Sequence, residues 1–310
     1  MCKNMRMLLS VVALMLFVSC DMPTVDVVDI PTAEHRFVGI IDDSDESRTY
    51  LDEQIRLLWN AGDYITLFEG LTLNKKYTFV GEDGDNAGYF EFVSQGFGAG
   101  NDLDRYYAIY PYSSSTKYKY GSPDYIQYTF PTTQNYVEGS VGLGANPMVA
   151  VTADLDDFDL RFRNVGSFLR VLLYGDNQTV GSIKLTTNSG EAITGTASIV
   201  PVYGGNPTCT MSGSGDTVTL HCGDGGVVIG DSEAEATVFW FVVPPITMKS
   251  GFTVTVSGYY GGEQSFEVGS TLTFTRNKYK SMTRELTLAS SGAGMGVDGW
   301  GSGENVEGSI

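Results

Sequence analysis

The sequence predicts an all-β fold made of short strands, and three observations carry that prediction. Apolar and polar residues alternate in runs such as Tyr64-Ile65-Thr66-Leu67-Phe68, the period of a strand with one buried face. Such runs recur about every 8–12 residues with turn signals between them, the spacing of β-sandwiches. No segment sustains a helical period, and abundant Gly (38), Tyr (18) and Phe (16) suit tight turns and aromatic-filled strands.

The chain opens with a different element. Lys3 and Arg6 precede the apolar stretch Met7 to Val18, interrupted by Ser10. This is a signal-peptide pattern, too short for the roughly 20 apolar residues that cross a bilayer. It ends in Phe17-Val18-Ser19-Cys20, a small residue before Cys that resembles a bacterial lipobox. Residues 1–19 are therefore read as a signal peptide, and Cys20 as the lipidated N-terminus of the mature chain. Acyl chains such as palmitate bury CH₂ groups worth about 0.8 kcal/mol each, enough for two or three to anchor firmly. Residues 20–35, acidic and punctuated by Pro23 and Pro31, read as a tether.

Strands are expected from Phe37-Val38-Gly39-Ile40-Ile41 onward. In the first half they are Tyr64 to Phe68, Tyr77 to Val80, Tyr89 to Val93, Tyr106 to Tyr112 and Tyr125 to Phe130, the last two stopped by Pro111 and Pro131. The Gly-rich stretch Gly139 to Gly144 and the run Asn146 to Val151 precede a division placed between domains 36–153 and 154–290. The second half offers Phe158 to Phe162, Leu169 to Tyr174, Ser182 to Thr187, Ala192 to Ile199, Thr208 to Met211 and Thr217 to Cys222. Val227 to Ile229, Thr237 to Val243, Phe252 to Val256, Ser265 to Val268 and Leu272 to Thr275 follow. Ser167 to Leu173 would also fit one helical turn, but its β-branched and aromatic neighbours favour a strand. Residues 291–310 form a Gly-rich tail that still carries Val297, Trp300, Val306 and Ile310.

Cys209 and Cys222 flank the turn signal Ser212-Gly213-Ser214-Gly215-Asp216. A hairpin looping at Gly215-Asp216 would set them opposite each other, close enough for a disulfide in an oxidising compartment. A one-residue register change would leave two separate buried thiols.

Charge and composition exclude several functions. The formal charge is −18, and removing Lys3 and Arg6 with the signal peptide leaves −20. Such a chain repels phosphate backbones and has no basic cluster, so nucleic acid is excluded as a partner. His35 lies in the tether and His221 beside Cys222, and there is no third histidine from which to build a Ser-His-Asp or Cys-His site. Phosphate-loop, dinucleotide and zinc signatures are lacking. Asp83-Gly84-Asp85-Asn86 begins like a calcium loop, but Ser94 stands where the bidentate Glu belongs, so a turn is expected. The carboxylates from Asp154 to Asp159 read as a solvated linker, although paired carboxylates can hydrolyse glycosides. No enzyme activity, cofactor or metal is expected.

Several runs, taken in order, resemble the fimbrillin family of Bacteroidales, which includes type V pilus subunits. They are Ser47-Arg48-Thr49, Leu58 to Phe68, Phe158 to Val165 with Leu169-Arg170-Val171, Asn188 to Ile193 with Gly195-Thr196-Ala197, Phe239 to Pro245, and Thr275-Arg276-Asn277. The resemblance implies two tandem transthyretin-like β-sandwiches and a surface-exposed lipoprotein of the outer membrane and fimbrium. It further implies that an arginine-specific protease removes the N-terminal segment with its first strand, and that a strand of the next subunit fills the groove. Arg48 is the matching cleavage candidate and Arg36 the second choice. The displaced strand is Phe37, Val38, Ile40 and Ile41 with the glycine between, and Val297, Trp300, Val306 and Ile310 are the donor candidates. The partners implied are the membrane, through the lipid, and other pilus subunits. An alternative is a non-polymerising surface lipoprotein, a tip, an anchor or a module binding host protein or glycan through Tyr106 to Tyr112 and Tyr118 to Tyr128. Inward-pointing tyrosines would remove the motive for that alternative.

Overall fold

The computed structural model describes residues 36–41, 57–70, 72–96, 100–288 and the backbone of 307–309. Cys20, Arg48 and the donor candidates Val297, Trp300, Val306 and Ile310 lie outside the described residues. The described residues all lie in one compact unit, His35–Ile310.

Among the described residues the regular structure is β, apart from one 3₁₀ turn at Glu233–Glu235. The first strands are β1 (Phe37–Ile41), β2 (Tyr64–Phe68), β3 (Lys75–Val80), β4 (Ala87–Gln95) and β5 (Tyr107–Tyr110). Next come β6 (Lys117–Lys119), β7 (Tyr125–Phe130), β8 (Thr133–Asn135), β9 (Met148–Val151), β10 (Asp159–Asn164) and β11 (Ser167–Tyr174). They are followed by β12 (Thr179–Thr187), β13 (Gly195–Val200), β14 (Thr208–Met211), β15 (Thr217–His221), β16 (Val227–Val228) and β17 (Thr237–Val243). The last are β18 (Ile246–Met248), β19 (Phe252–Gly258), β20 (Glu263–Val268), β21 (Leu272–Phe274), β22 (Lys278–Glu285) and β23 (Glu307–Ser309).

Seven strands close into a barrel in the order β1-β10-β9-β5-β2-β3-β4. Its interior is aromatic. Trp59 stacks on Phe79 at 5.6 Å between centroids and meets Phe90, Tyr110 and Phe162 edge-on at 5.1–5.5 Å. Offset and edge-on packing is what ring quadrupoles favour. A sheet ordered β14-β13-β7-β6 covers one outer face of the barrel. There Phe68, Ile109 and Val149 pack against Ile126, Tyr128, Phe130, Ala197 and Ile199.

A further core lies between the sheet β17-β11-β22-β23 and the sheet β20-β19-β12-β15-β8. Leu169, Val171, Leu173, Ile183, Leu185, Leu220 and Val254 meet there, so aliphatic surface fills it. Ser167 to Leu173 is a strand, since β11 is covered on both faces: Leu169 and Val171 face this core, and Phe168 faces Trp240, Val242 and Tyr279. The edge of β17 is closed by a side chain. Buried Gln134 donates from Nε2 to the Val242 carbonyl at 2.7 Å and accepts the Val242 N–H at 2.9 Å. That doubly bonded amide substitutes for a neighbouring strand on an otherwise open edge.

Strands from either side of residue 153 share sheets. β10 is a barrel stave between β1 and β9, β13 pairs with β7, and β15 pairs with β8. The hairpin expected around Gly215-Asp216 does not form, because β14 pairs with β13 in one sheet and β15 with β12 in another. The segment between them turns onto Thr194 and Thr196: Ser212 N–H donates to the Thr196 carbonyl at 2.8 Å, and Gly215 accepts from the Thr194 N–H at 2.9 Å. Cys209 and Cys222 consequently sit in different cores as free thiols, and the disulfide alternative is withdrawn.

Candidate functional site

The expected displaced strand is a full stave of the barrel. β1 pairs antiparallel with β4 (Phe37 opposite Phe90, Ile40 opposite Ala87) and parallel with β10 (Val38 opposite Asp159, Ile41 opposite Phe162). Its residues alternate as a strand must: Phe37 and Ile41 are buried in the barrel, while Val38 and Ile40 are half-buried on the outside. The Phe37 ring packs edge-on against Tyr106 at 4.9 Å and against Tyr77 and Phe158 at 5.7 Å.

Between those two anchors lies Gly39, and the barrel requires it. A Cβ there would stand 2.2 Å from Cε2 of Phe90, so that ring occupies the space a side chain would need. The seat of β1 therefore has a written specification: apolar, any, Gly, any, apolar. Arg36, just ahead of it, is exposed and ion-paired with Glu91, so a cut after Arg36 would leave the stave in place.

Only the backbone of 307–309 is described in the C-terminal tail. As β23 it lies antiparallel on the edge of β22, with Tyr279 opposite Gly308.

The aromatic strands face partly inward: Tyr107, Tyr112 and Tyr125 are half-buried and Tyr120 is 51% exposed. Tyr106, Tyr110, Tyr118 and Tyr128 are all buried. Tyr110 donates its hydroxyl to Asp63 Oδ1 at 3.2 Å, and Asp63 also accepts the Asn60 N–H at 2.9 Å, closing the turn after Trp59. Burial holds the Asp63 carboxyl above its ordinary range against those hydrogen bonds, and burial likewise pushes the Tyr110 hydroxyl up. Burial raises both thiols, Cys209 and Cys222, to about 12.

The carboxylate-rich segments bind their own backbone. Asp83 accepts the Ala61 N–H at 2.8 Å and Asp85 the Glu82 N–H at 2.9 Å. Asp154 and Asp157 accept the N–H groups of Asp156, Ala153 and Asp159 at 2.9–3.0 Å. The bonds that Asp154 accepts from the Asp156 N–H and Asp157 from the Asp159 N–H are Asx turns, and Asp83 ties its turn to the one that follows Trp59. Among the described residues no group of three His, Cys, Asp or Glu side chains converges as for a metal ion.

Two of the runs that carry the resemblance meet in space. Asn164 donates from Nδ2 to the Gly166 carbonyl at 3.0 Å and to Asn277 Oδ1 at 3.2 Å, while Arg276 Nη1 donates to the Asn164 carbonyl at 3.0 Å. This buried polar junction ties the end of β10 to the approach to β22, a joint that the sequence alone did not reveal.

No protein-family model matches the sequence, and no curated protein matches it. Solved structures do. A Bacteroides uniformis protein provisionally called a cell adhesion protein is 18% identical with a TM-score of 0.44, over 74% of this chain and 88% of that one. A fimbrial protein from Bacteroides ovatus is 15% identical with a TM-score of 0.33, over 80% and 48% respectively. A tip fimbrial protein from Porphyromonas gingivalis, truncated at its C-terminus, is 7% identical with a TM-score of 0.28, over 80% and 94%.

Proposed function

We infer that this chain is a structural subunit of a surface fimbrium, exported as a lipoprotein on Cys20 to the outer membrane and assembled by β-strand addition, without enzymatic activity of its own. In this reading it comprises two transthyretin-like sandwich domains, 36–153 and 154–290, with β10, β13 and β15 crossing between them. A cut after Arg48 releases the lipid together with β1. The single observation that supports the reading is the seat of β1. Loss of that stave leaves β4 and β10 with open edges around an apolar slot, the arrangement that captures an incoming strand. The slot asks for an apolar residue, then Gly, then an apolar residue at alternate positions. The end of the chain, Val306-Glu307-Gly308-Ser309-Ile310, repeats that pattern, with Val306 for Phe37, Gly308 for Gly39 and Ile310 for Ile41. A strand given head-to-tail by each copy to the next does not close, so it builds a filament.

One observation favours the alternative of a non-polymerising surface lipoprotein: β23 lies on β22 of its own chain. Digestion separates the two readings. The lipid-free protein is treated with an arginine-specific protease, and its new N-terminus and its size are determined. A single cut after Arg48, with ladders of oligomers that vanish when residues 291–310 are deleted, supports the subunit. A protein cut there that remains monomeric supports the alternative.

A further inference from the structure

Outside the barrel slot, a cleft of about 220 Å³ opens between the outer face of β9–β10 and the loop that joins β13 to β14. Because Leu160 and Phe162 point into the barrel, Asp159, Arg161 and Arg163 share the outward face of β10. Two guanidinium groups thus line one cleft of a chain whose formal charge is −18. The Arg161–Asp159 pair is loose, at 3.8 Å with both side chains at least half exposed, a geometry that contributes little and exchanges readily. Arg163 Nη1 donates to Asn206 Oδ1 at 2.9 Å and fastens the loop over the cleft.

The loop is built to present a ring. Pro201 and Pro207 bracket it, the Gly205 N–H donates to the Val202 carbonyl at 3.1 Å, and Gly204 has φ +64°. Those features define a tight turn with glycine at its third position and Tyr203 at its corner. Tyr203 stands 57% exposed at the rim, next to Val202 at 43%. The ring has no buried role, and the turn holds it beside two arginines.

We propose that this cleft binds an acidic sugar, a pyranose ring bearing a carboxylate. Arg161 receives the carboxylate as a planar two-donor fork, with the positive charge of Arg163 alongside. The apolar face of the ring lies on Tyr203 and Val202, as aromatic side chains with one wet edge allow. The volume falls below the roughly 300–1,000 Å³ of drug-sized sites, which fits a single ring. The proposal is independent of strand exchange, and it places sugar recognition away from the tyrosines of β5–β7.

The test is titration of the lipid-free protein with glucuronate, glucose and acetate, followed by ligand-observed NMR and calorimetry. Glucuronate is expected to bind at least about tenfold more tightly than glucose or acetate, a difference of about 1.4 kcal/mol. Arg161→Gln is expected to remove that preference, and Tyr203→Ala to weaken glucuronate about fivefold while leaving the melting temperature unchanged. Equal affinity for glucuronate and glucose would overturn the role of the arginines. Equal affinity for glucuronate and acetate would overturn the sugar. Absence of glucuronate binding would overturn the site.

Discussion

The two largest cores of this protein are filled by different chemistry. In the barrel, eight of the fifteen described core residues are aromatic; between the two C-terminal sheets, only four of twenty-two are. Aliphatic packing follows buried area and accepts changes that conserve volume. Aromatic packing has direction, and each ring in the barrel is fixed by the faces and edges of its neighbours. The consequence is concentrated at β1, where a ring of β4 lies over the one residue that has no side chain. A strand can occupy that seat only if it brings a glycine at the same place. The barrel is therefore the selective half of the molecule, and the C-terminal core supplies bulk stability.

The largest test of this contrast is Trp59→Ala, which removes the ring that touches four others. It should cost about 3–5 kcal/mol in denaturant unfolding. Gly39→Ala adds one methyl group and should cost about 1–3 kcal/mol by overpacking, whereas Leu185→Met in the aliphatic core should cost less than about 1.5 kcal/mol. Equal losses from the two would erase the distinction. Gln134→Leu keeps an apolar filling but leaves the N–H and carbonyl of Val242 without their partner, and should cost about 1–3 kcal/mol. Amide exchange at Val242 should rise in that variant.

The smallest effect concerns the thiols. With Cys209 and Cys222 raised by burial from 9.0 to about 12, the folded state holds their protons more firmly than the unfolded state. Their contribution to stability is thus fully present below pH 9.0 and declines as pH rises toward about 12. At pH 8 a thiol reagent should label neither residue in the folded protein and both in denaturant. Failure to label in denaturant without a reductant would indicate a disulfide.

Much of this architecture was legible where one face of a strand is buried. β1, β2, β7, β14 and β17 coincide with runs of alternating or continuous apolar residues. β22 was not legible because its buried residues, Tyr279 and Met282, are three apart and so face different cores, which destroys the alternation. β8 is short and polar, and its Gln134 acts through hydrogen bonds that hydropathy does not record. Pairing was less legible than strand position. The turn signal at Gly215 was real, but the chain uses it to cross from one sheet to another, so Cys209 and Cys222 part company. In the candidate site, the first strand was recognisable from its sequence, while the demand for Gly39 depends on Phe90, brought there by the β1–β4 register.

If the C-terminal strand of one copy takes the seat of β1 in another, Gly308 stands in the place of Gly39. The most direct measurement compares oligomer ladders from cleaved wild-type, Gly308→Val and Ser309→Ala proteins by denaturant-free size analysis. Gly308→Val is expected to form no ladder while keeping the wild-type melting temperature, and Ser309→Ala to assemble normally. Wild-type ladders from Gly308→Val would contradict that placement.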